Sequence, residues 1–110
     1  MAYNQNLTER IESVLSTKPG ITQKKMFGGL CFLLNGNMLC GIRGDKLMAR
    51  VGPYNYDYAL KQKYATEMDF TGKPLKGMIY VLPKGIKRKE SLKKWIDMCI
   101  EFVGGRPKKK

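Results

Sequence analysis

Apolar residues recur at helical spacing near both ends of the chain. Near the N-terminus this spacing predicts a helix over residues 6–18, with an apolar face formed by Leu7, Ile11, Val14 and Leu15. Asn6 and Glu9 fit a capping box at its start, and Pro19-Gly20 ends it. Near the C-terminus a second stripe predicts a helix over residues 88–103, whose buried face carries Leu92, Trp95, Ile96, Cys99 and Val103.

Between these helices, glycine-bearing turns divide an apolar stretch into short strands. Asn35-Gly36 is a strong signal for a two-residue hairpin, because both central residues of a type I′ turn need positive φ. Gly44-Asp45 suits a second such turn, and Gly28-Gly29 suits a third turn or a sharp bend. The turns predict a register in which Leu34 pairs with Asn37, Leu33 with Met38, Cys31 with Cys40, Ile42 with Leu47, Cys40 with Ala49 and Met38 with Val51.

This register divides the strand side chains between two faces, because successive residues of a strand point to opposite sides. The apolar face, expected to lie under the helices, carries Cys31, Leu33, Met38, Cys40, Ile42, Leu47, Ala49 and Val51. The opposite face mixes apolar and cationic side chains: Leu30, Phe32, Leu34, Leu39, Arg43, Met48 and Arg50. Either this second face contacts a protein partner or a second copy of the chain, or a loop or the short middle helix covers it.

The remaining elements complete the predicted fold. Gly52-Pro53 interrupts the sheet, after which we expect a weak helix over residues 54–65, a loop over 66–77 and a strand over 78–82. The expected class is α+β in two layers, with an antiparallel sheet of about five strands, helices on one face and the order α-β-β-β-β-α-β-α. Residues 1–105 then form one domain, and residues 106–110 form a basic disordered tail.

Charge is the unusual bulk property of the chain. Lys and Arg number 21 against 9 Asp and Glu, which gives a net charge of +12. Such a field attracts nucleic acid at long range, although solubility alone also accounts for it. The candidate anion or nucleic-acid contacts are the cations at the start of the last helix and in the tail: Lys84, Lys87, Arg88, Lys89, Arg106, Lys108, Lys109 and Lys110. The first four crowd a helix N-terminus, where a phosphate would relieve the misfit, unless their side chains simply extend into water.

Other candidate chemistry is sparse. The chain has no histidine, which removes the commonest general base and metal ligand, so we expect no catalytic residues, no metal and no cofactor. Cys31, Cys40 and Cys99 converge on one predicted face, but among apolar neighbours they are expected to fill the core. Tyr54, Tyr56, Tyr58, Tyr64 and Tyr80 could stack on bases or cover the sheet. No apolar run suits a membrane span and no signal peptide is present, so a cytoplasmic protein is expected.

Several short motifs, in order, resemble the N-terminal domain of the TfoX/Sxy family. They are Lys25-Met26-Phe27-Gly28-Gly29, the turn at Gly36 between two apolar strands, GKPLKGMIYVLP from Gly72 to Pro83, and the helix with Leu92, Trp95 and Ile96. The resemblance covers about residues 7–103. It implies a small α+β unit in a bacterial cytoplasmic regulator, whose full-length relatives promote transcription of DNA-uptake genes for natural competence together with the cyclic-AMP receptor protein.

The resemblance also frames the functional hypotheses. The chain ends where the family's C-terminal domain would begin, so we expect a stand-alone N-terminal domain, for which a role in competence stays open. The first hypothesis is a non-enzymatic regulatory or binding module that acts through protein or nucleic-acid contacts. The alternative is a homodimeric adaptor without a nucleic-acid role, and the third hypothesis is a small enzyme. Self-association or a protein partner is expected, nucleic acid is a candidate partner, and no membrane contact is expected.

Overall fold

A computed structural model describes residues 5–26, 28–69 and 74–105, and for Asp69 and residues 74–76 it describes the backbone only. Within these ranges the helices are α1 (Gln5–Leu15), α2 (Tyr56–Leu60) and α3 (Lys89–Val103), and a 3₁₀ turn covers Pro83–Ile86. The strands are β1 (Ile21–Met26), β2 (Gly29–Leu34), β3 (Asn37–Arg43), β4 (Lys46–Arg50), β5 (Ala65–Asp69) and β6 (Pro74–Val81). None of these helices is long and apolar enough to cross a membrane.

The strands form one antiparallel sheet in the order β1-β2-β3-β4-β6-β5, with the helices on one face. The predicted α+β class is therefore confirmed, but the sheet has six strands. The strand missed from sequence is β5, which lies in the predicted loop over residues 66–77 and pairs with β6 at the edge of the sheet. Polar Thr66 and Glu67 precede Met68, the one buried side chain among those described in β5, and hide it from a pattern search.

Helix bounds differ modestly from the sequence prediction. Asn6 lies inside α1, so the predicted capping box with Glu9 is wrong. The middle helix is limited to Tyr56–Leu60 because the chain turns at Lys61 and enters β5 four residues later. The predicted C-terminal helix agrees with α3 to within one residue, and its apolar stripe lies in the core as expected.

The predicted hairpin at Asn35-Gly36 is confirmed. Asn35 has φ 52° and Gly36 has φ 84°, and Leu34 pairs with Asn37 across the turn. The second turn is also confirmed, since Ile42 pairs with Leu47 on either side of Gly44-Asp45. At the start of β2, a Cβ on Gly29 would collide with the carbonyl oxygen of Ile42, so the Gly28-Gly29 pair allows two backbones to approach closely.

One part of the predicted register is wrong. Leu33 pairs with Met38 as expected, but the next pair is Phe32 with Cys40, because Leu39 is a β-bulge. Cys31 consequently pairs with Gly41 and not with Cys40. A single extra residue in β3 shifts the pairing with β2 by one position. Because side chains alternate between the two faces, this shift places the residues of β2 on the face opposite to the predicted one.

The bulge overturns only part of the predicted faces of the sheet. Cys40, Ile42, Leu47, Ala49 and Val51 lie under the helices as predicted, and Met48 lies on the opposite face as predicted. Leu30, Phe32, Leu34 and Leu39, expected on an open face, are at most 7% exposed and lie under the helices. We call this side the helix face; its sheet members also include Cys40, Ile42, Leu47, Ala49, Val51, Ile79 and Val81. Cys31, Leu33 and Met38 lie instead in a second cluster, together with Met26, Met48, Met68, Met78 and Tyr80. We call this the strand face, because all its described members belong to strands.

Candidate anion-binding cavity

An open cavity of about 260 Å³ lies between the C-terminal end of α2, the 3₁₀ turn and α3. The α2 side contributes Tyr58, Gln62, Lys63 and Tyr64. The 3₁₀ turn contributes Lys84 and Gly85. The α3 side contributes Ser91, Lys94, Trp95 and Met98. The cavity therefore joins three chain segments, and it brings lysines together with aromatic rings.

The α3 wall is one stripe of the helix. Ser91, Lys94, Trp95 and Met98 follow the spacing i, i+3, i+4 and i+7, so they face the same direction. Trp95 is only 8% exposed and also belongs to the hydrophobic core, which fixes its ring where the core meets the cavity. Lys94 is exposed at the same wall, so this stripe presents an apolar base and a cationic rim.

The opposite wall is a short turn between α2 and β5. Gln62 donates its side-chain amide to the Tyr58 carbonyl over 3.1 Å, and the Leu82 backbone amide donates to the Tyr64 carbonyl over 2.8 Å. Tyr64 itself has φ 72°, a left-handed conformation that is uncommon for a bulky residue. Strained backbone of this kind, at a cost of about 1–3 kcal/mol, is found most often at functional sites.

The electrostatics of the cavity are one-sided. Three of its lining residues are lysines, and none of its described lining residues is acidic. The Lys63 ammonium lies 5.3 Å from the centroid of the Tyr64 ring, a cation–π contact. The salt bridge of 2.7 Å on α3 joins Lys93 to Asp97 and leaves Lys94 without an acidic partner among the described residues. The cavity thus concentrates positive charge in a concave, partly apolar surface, which favours anionic ligands.

The structure brings only one of the predicted anion contacts into this cavity. Lys84 lines it, whereas Lys87, Arg88 and Lys89 lie at the junction of the 3₁₀ turn and α3 with exposed side chains. A fourth cation joins that junction, because the Arg10 guanidinium donates to the carbonyls of Ile86 and Lys87. Arg106, Lys108, Lys109 and Lys110 lie outside the described residues.

Sequence inspection missed Lys63 and Lys94 as site residues. Lys94 could have been found, since it shares the helical spacing of Ser91, Trp95 and Met98. Lys63 carried no comparable signal, because its position depends on how the turn after α2 folds back toward α3. Of the predicted stacking tyrosines, Tyr56 and Tyr80 are buried at 8% exposure, while Tyr58 is 52% exposed in the cavity and Tyr54 is 95% exposed outside it.

The arginines of the predicted partner face have intramolecular contacts. Arg43 donates to the Tyr80 hydroxyl over 2.9 Å, and Arg50 donates to the Met38 carbonyl over 3.2 Å. The Arg50 guanidinium also lies 5.5 Å from the Phe102 ring centroid. Met48, the last member of that predicted face, has no exposed surface. The contacts hold these arginines at the sheet, and the burial of Phe32 and Met48 removes the apolar patch on which a partner face depended.

The reactive groups of the described chain do not form a nucleophile or metal centre. No hydrogen bond joins the Ser91 hydroxyl to the Lys94 ammonium among the described contacts. All three cysteines are buried, as predicted for core residues. Burial raises the pKa of the Cys31 thiol to about 11 and that of Cys99 to about 12, which keeps both neutral near pH 7. The described residues contain no cluster of three metal-ligating side chains.

Comparison with known proteins identifies one similarity. The sequence model of the TfoX N-terminal domain family matches residues 13–103, which is most of the chain and includes every residue that lines the cavity. Neither the curated proteins nor the solved structures with which the chain was compared gave a match.

Proposed function

This chain belongs to the TfoX N-terminal domain family, and we propose on that premise that it is a non-enzymatic regulatory module that binds nucleic acid. The observation that carries the proposal is a cavity lined by three lysines, Lys63, Lys84 and Lys94. None of its described lining residues is acidic. The proposed setting is transcription regulation in the bacterial cytoplasm, as the family resemblance implies.

The cations beside the cavity extend the proposed binding surface. Lys87, Arg88 and Lys89 follow Lys84 after Gly85 and Ile86, and they are exposed at the start of α3. A helix N-terminus attracts phosphate through its free amide groups and its dipole, so bound phosphates would offset the repulsion between these cations. Lysine-to-phosphate contacts release condensed counterions and make the affinity depend steeply on salt.

Nucleic acid is favoured over the homodimeric adaptor by the positions of the apolar residues. The adaptor hypothesis needed an accessible face around Phe32, which is 1% exposed under the helices. A catalytic role is less well supported, since the sequence lacks histidine and Ser91 has no hydrogen-bonded base among the described residues. The cavity is therefore proposed as a binding site.

Two double variants, each of which removes two positive charges, test the proposal. We expect the double variant Lys84→Gln/Lys94→Gln to weaken binding of labelled oligonucleotides and to lower the slope of log affinity against log salt by about 1.4–1.8, since each phosphate contact contributes about 0.7–0.9. The matched control is Lys24→Gln/Lys25→Gln on β1, an exposed pair at the opposite edge of the sheet. Fluorescence anisotropy across a salt series measures both quantities.

Three results would contradict this function. One is the absence of salt-dependent binding in the wild-type chain. Another is an equal effect of the two double variants, which would attribute binding to overall charge. The third is a slope that vanishes when residues 106–110 are deleted, because the tail alone would then bind.

A further inference from the structure

We infer that the cavity binds one unpaired nucleotide of a single strand, with the base on its aromatic wall and the backbone phosphates at its lysines. The inference rests on the proposed nucleic-acid function and adds the kind of strand that is bound. It follows from three features of the cavity: an accessible aromatic ring, its size and the arrangement of its polar groups.

Tyr58 supplies the accessible ring. It is 52% exposed although it lines a cavity, whereas Trp95 beside it is 8% exposed and fixed by the core. One face of the Tyr64 ring is occupied by the Lys63 ammonium at 5.3 Å. Tyr58 is consequently the ring on which a flat ligand can stack, with Trp95 and Met98 completing an apolar wall.

The size of the cavity suits one nucleotide. Its volume of about 260 Å³ is slightly below the range of about 300–1,000 Å³ that is typical of pockets for drug-sized ligands. A base inside a duplex is covered by its neighbours on both faces and cannot enter without being extruded. An unpaired base enters freely, so this geometry favours single strands over duplexes.

Polar groups surround the apolar wall at the positions that a nucleotide needs. Lys63, Lys84 and Lys94 line the cavity from three chain segments, and together they could contact the phosphates that flank the base. Ser91 also lines the cavity, and its hydroxyl makes no hydrogen bond among the described contacts, so a base edge or a phosphate is a suitable partner for it. The combination of stacking ring and cationic groove is typical of single-strand binding.

The test compares two exposed tyrosines. We expect Tyr58→Ala to lower the affinity for a 12-nucleotide oligothymidine about tenfold, the effect of losing one stacked base. It should leave the affinity for a 12-base-pair duplex unchanged. Tyr54→Ala is the matched control, since Tyr54 is 95% exposed and lies outside the cavity. Tyr58→Phe keeps the ring and should bind as the wild type does.

Trp95 gives an independent readout. It is the single tryptophan of the chain and it lines the cavity, so its fluorescence should change when the oligothymidine binds and not when the duplex binds. Circular dichroism of each variant, with unchanged spectra expected, separates loss of binding from loss of folding.

The outcomes distinguish this inference from the function on which it rests. Equal effects of Tyr58→Ala and Tyr54→Ala, or an equal loss for oligothymidine and duplex, would overturn the single-strand site while leaving the salt-dependent binding intact. A silent Trp95 signal during oligothymidine binding would overturn it too. If the wild type binds neither strand type, both the inference and the proposed function fail.

Discussion

The two faces of the sheet are both buried, but different side chains fill them. The helix face packs branched and aromatic residues such as Phe32, Ile42 and Ile79 against three helices. The strand face holds five of the seven methionines and Cys31, and its described members all come from strands. Methionine is flexible and fills irregular space, whereas branched side chains suit the fixed ridges of a helix. The difference shows that burial alone does not identify the face on which helices pack.

Cations also distinguish the strand face. Arg43 donates to the Tyr80 hydroxyl, and the Lys46 ammonium lies 5.3 Å from the Tyr80 ring centroid. A face that is both apolar and cationic was expected. Met48 lies on the strand face as predicted, but the apolar residues of β2 and Leu39, which were assigned to the same face, lie on the helix face. The bulge at Leu39 moved Phe32 and its neighbours to the helix face and moved Cys31 to the strand face.

The largest expected effect comes from the pair Phe32→Ala and Leu33→Ala. These two residues are adjacent in β2 and point to opposite faces of the sheet. Phe32 is 1% exposed, whereas Leu33 is partly exposed. We expect Phe32→Ala to reduce the free energy of unfolding by about 3–5 kcal/mol. Leu33→Ala should cost less than about 2 kcal/mol, because less apolar surface is lost. Urea unfolding measures both, and a larger loss for Leu33→Ala would restore the register without a bulge.

Deletion of Leu39 sharpens the comparison. Because Leu39 is the extra residue between the pairs Leu33–Met38 and Phe32–Cys40, its removal leaves both faces unchanged. The deletion should therefore cost about as much as Leu39→Ala, about 2–5 kcal/mol, and the chain should still unfold cooperatively.

The matched control removes a residue from a regular strand. Ala49 is fully buried and pairs with both Cys40 and Ile79 without a bulge. Its deletion either brings Arg50 onto the helix face or moves Leu47 off that face, so a cooperative transition should be absent. If both deletions unfold the chain, or if both are tolerated, the bulge does not determine the faces.

The smallest effect concerns pH and the strand-face thiol. Burial raises the pKa of Cys31 from 9.0 to about 11, so its contribution to stability is fully present below pH 9 and is lost as the pH rises through 11. Between pH 8 and 10.5, the free energy of unfolding should fall more steeply for the wild type than for Cys31→Ala. Chemical denaturation at both pH values gives the two slopes, and identical slopes would show that this thiol is not desolvated.

Much of the fold was predictable from local sequence. The Asn35-Gly36 turn, the α3 stripe and the α+β class depend on backbone φ preferences and short-range periodicity, which a sequence displays directly. The strand β5 was not predictable, because consecutive polar residues, Thr66 and Glu67, leave this edge strand without a clear alternation. Of the candidate site, the cations predicted near the start of α3 contributed Lys84, and the helical spacing of α3 could have indicated Lys94, while Lys63 required the assembled structure.

The sequence by itself determined where the chain turns, which helical stripes are apolar and how basic the surface is, since each depends on residues close together in the chain. Only the tertiary structure decided the faces of β2 relative to the rest of the sheet, because a one-residue bulge is selected by how well both faces pack at once. It also decided the cavity, whose walls come from the end of α2, the 3₁₀ turn and α3. Segments that are distant in sequence acquire a joint geometry only through the core that holds them together.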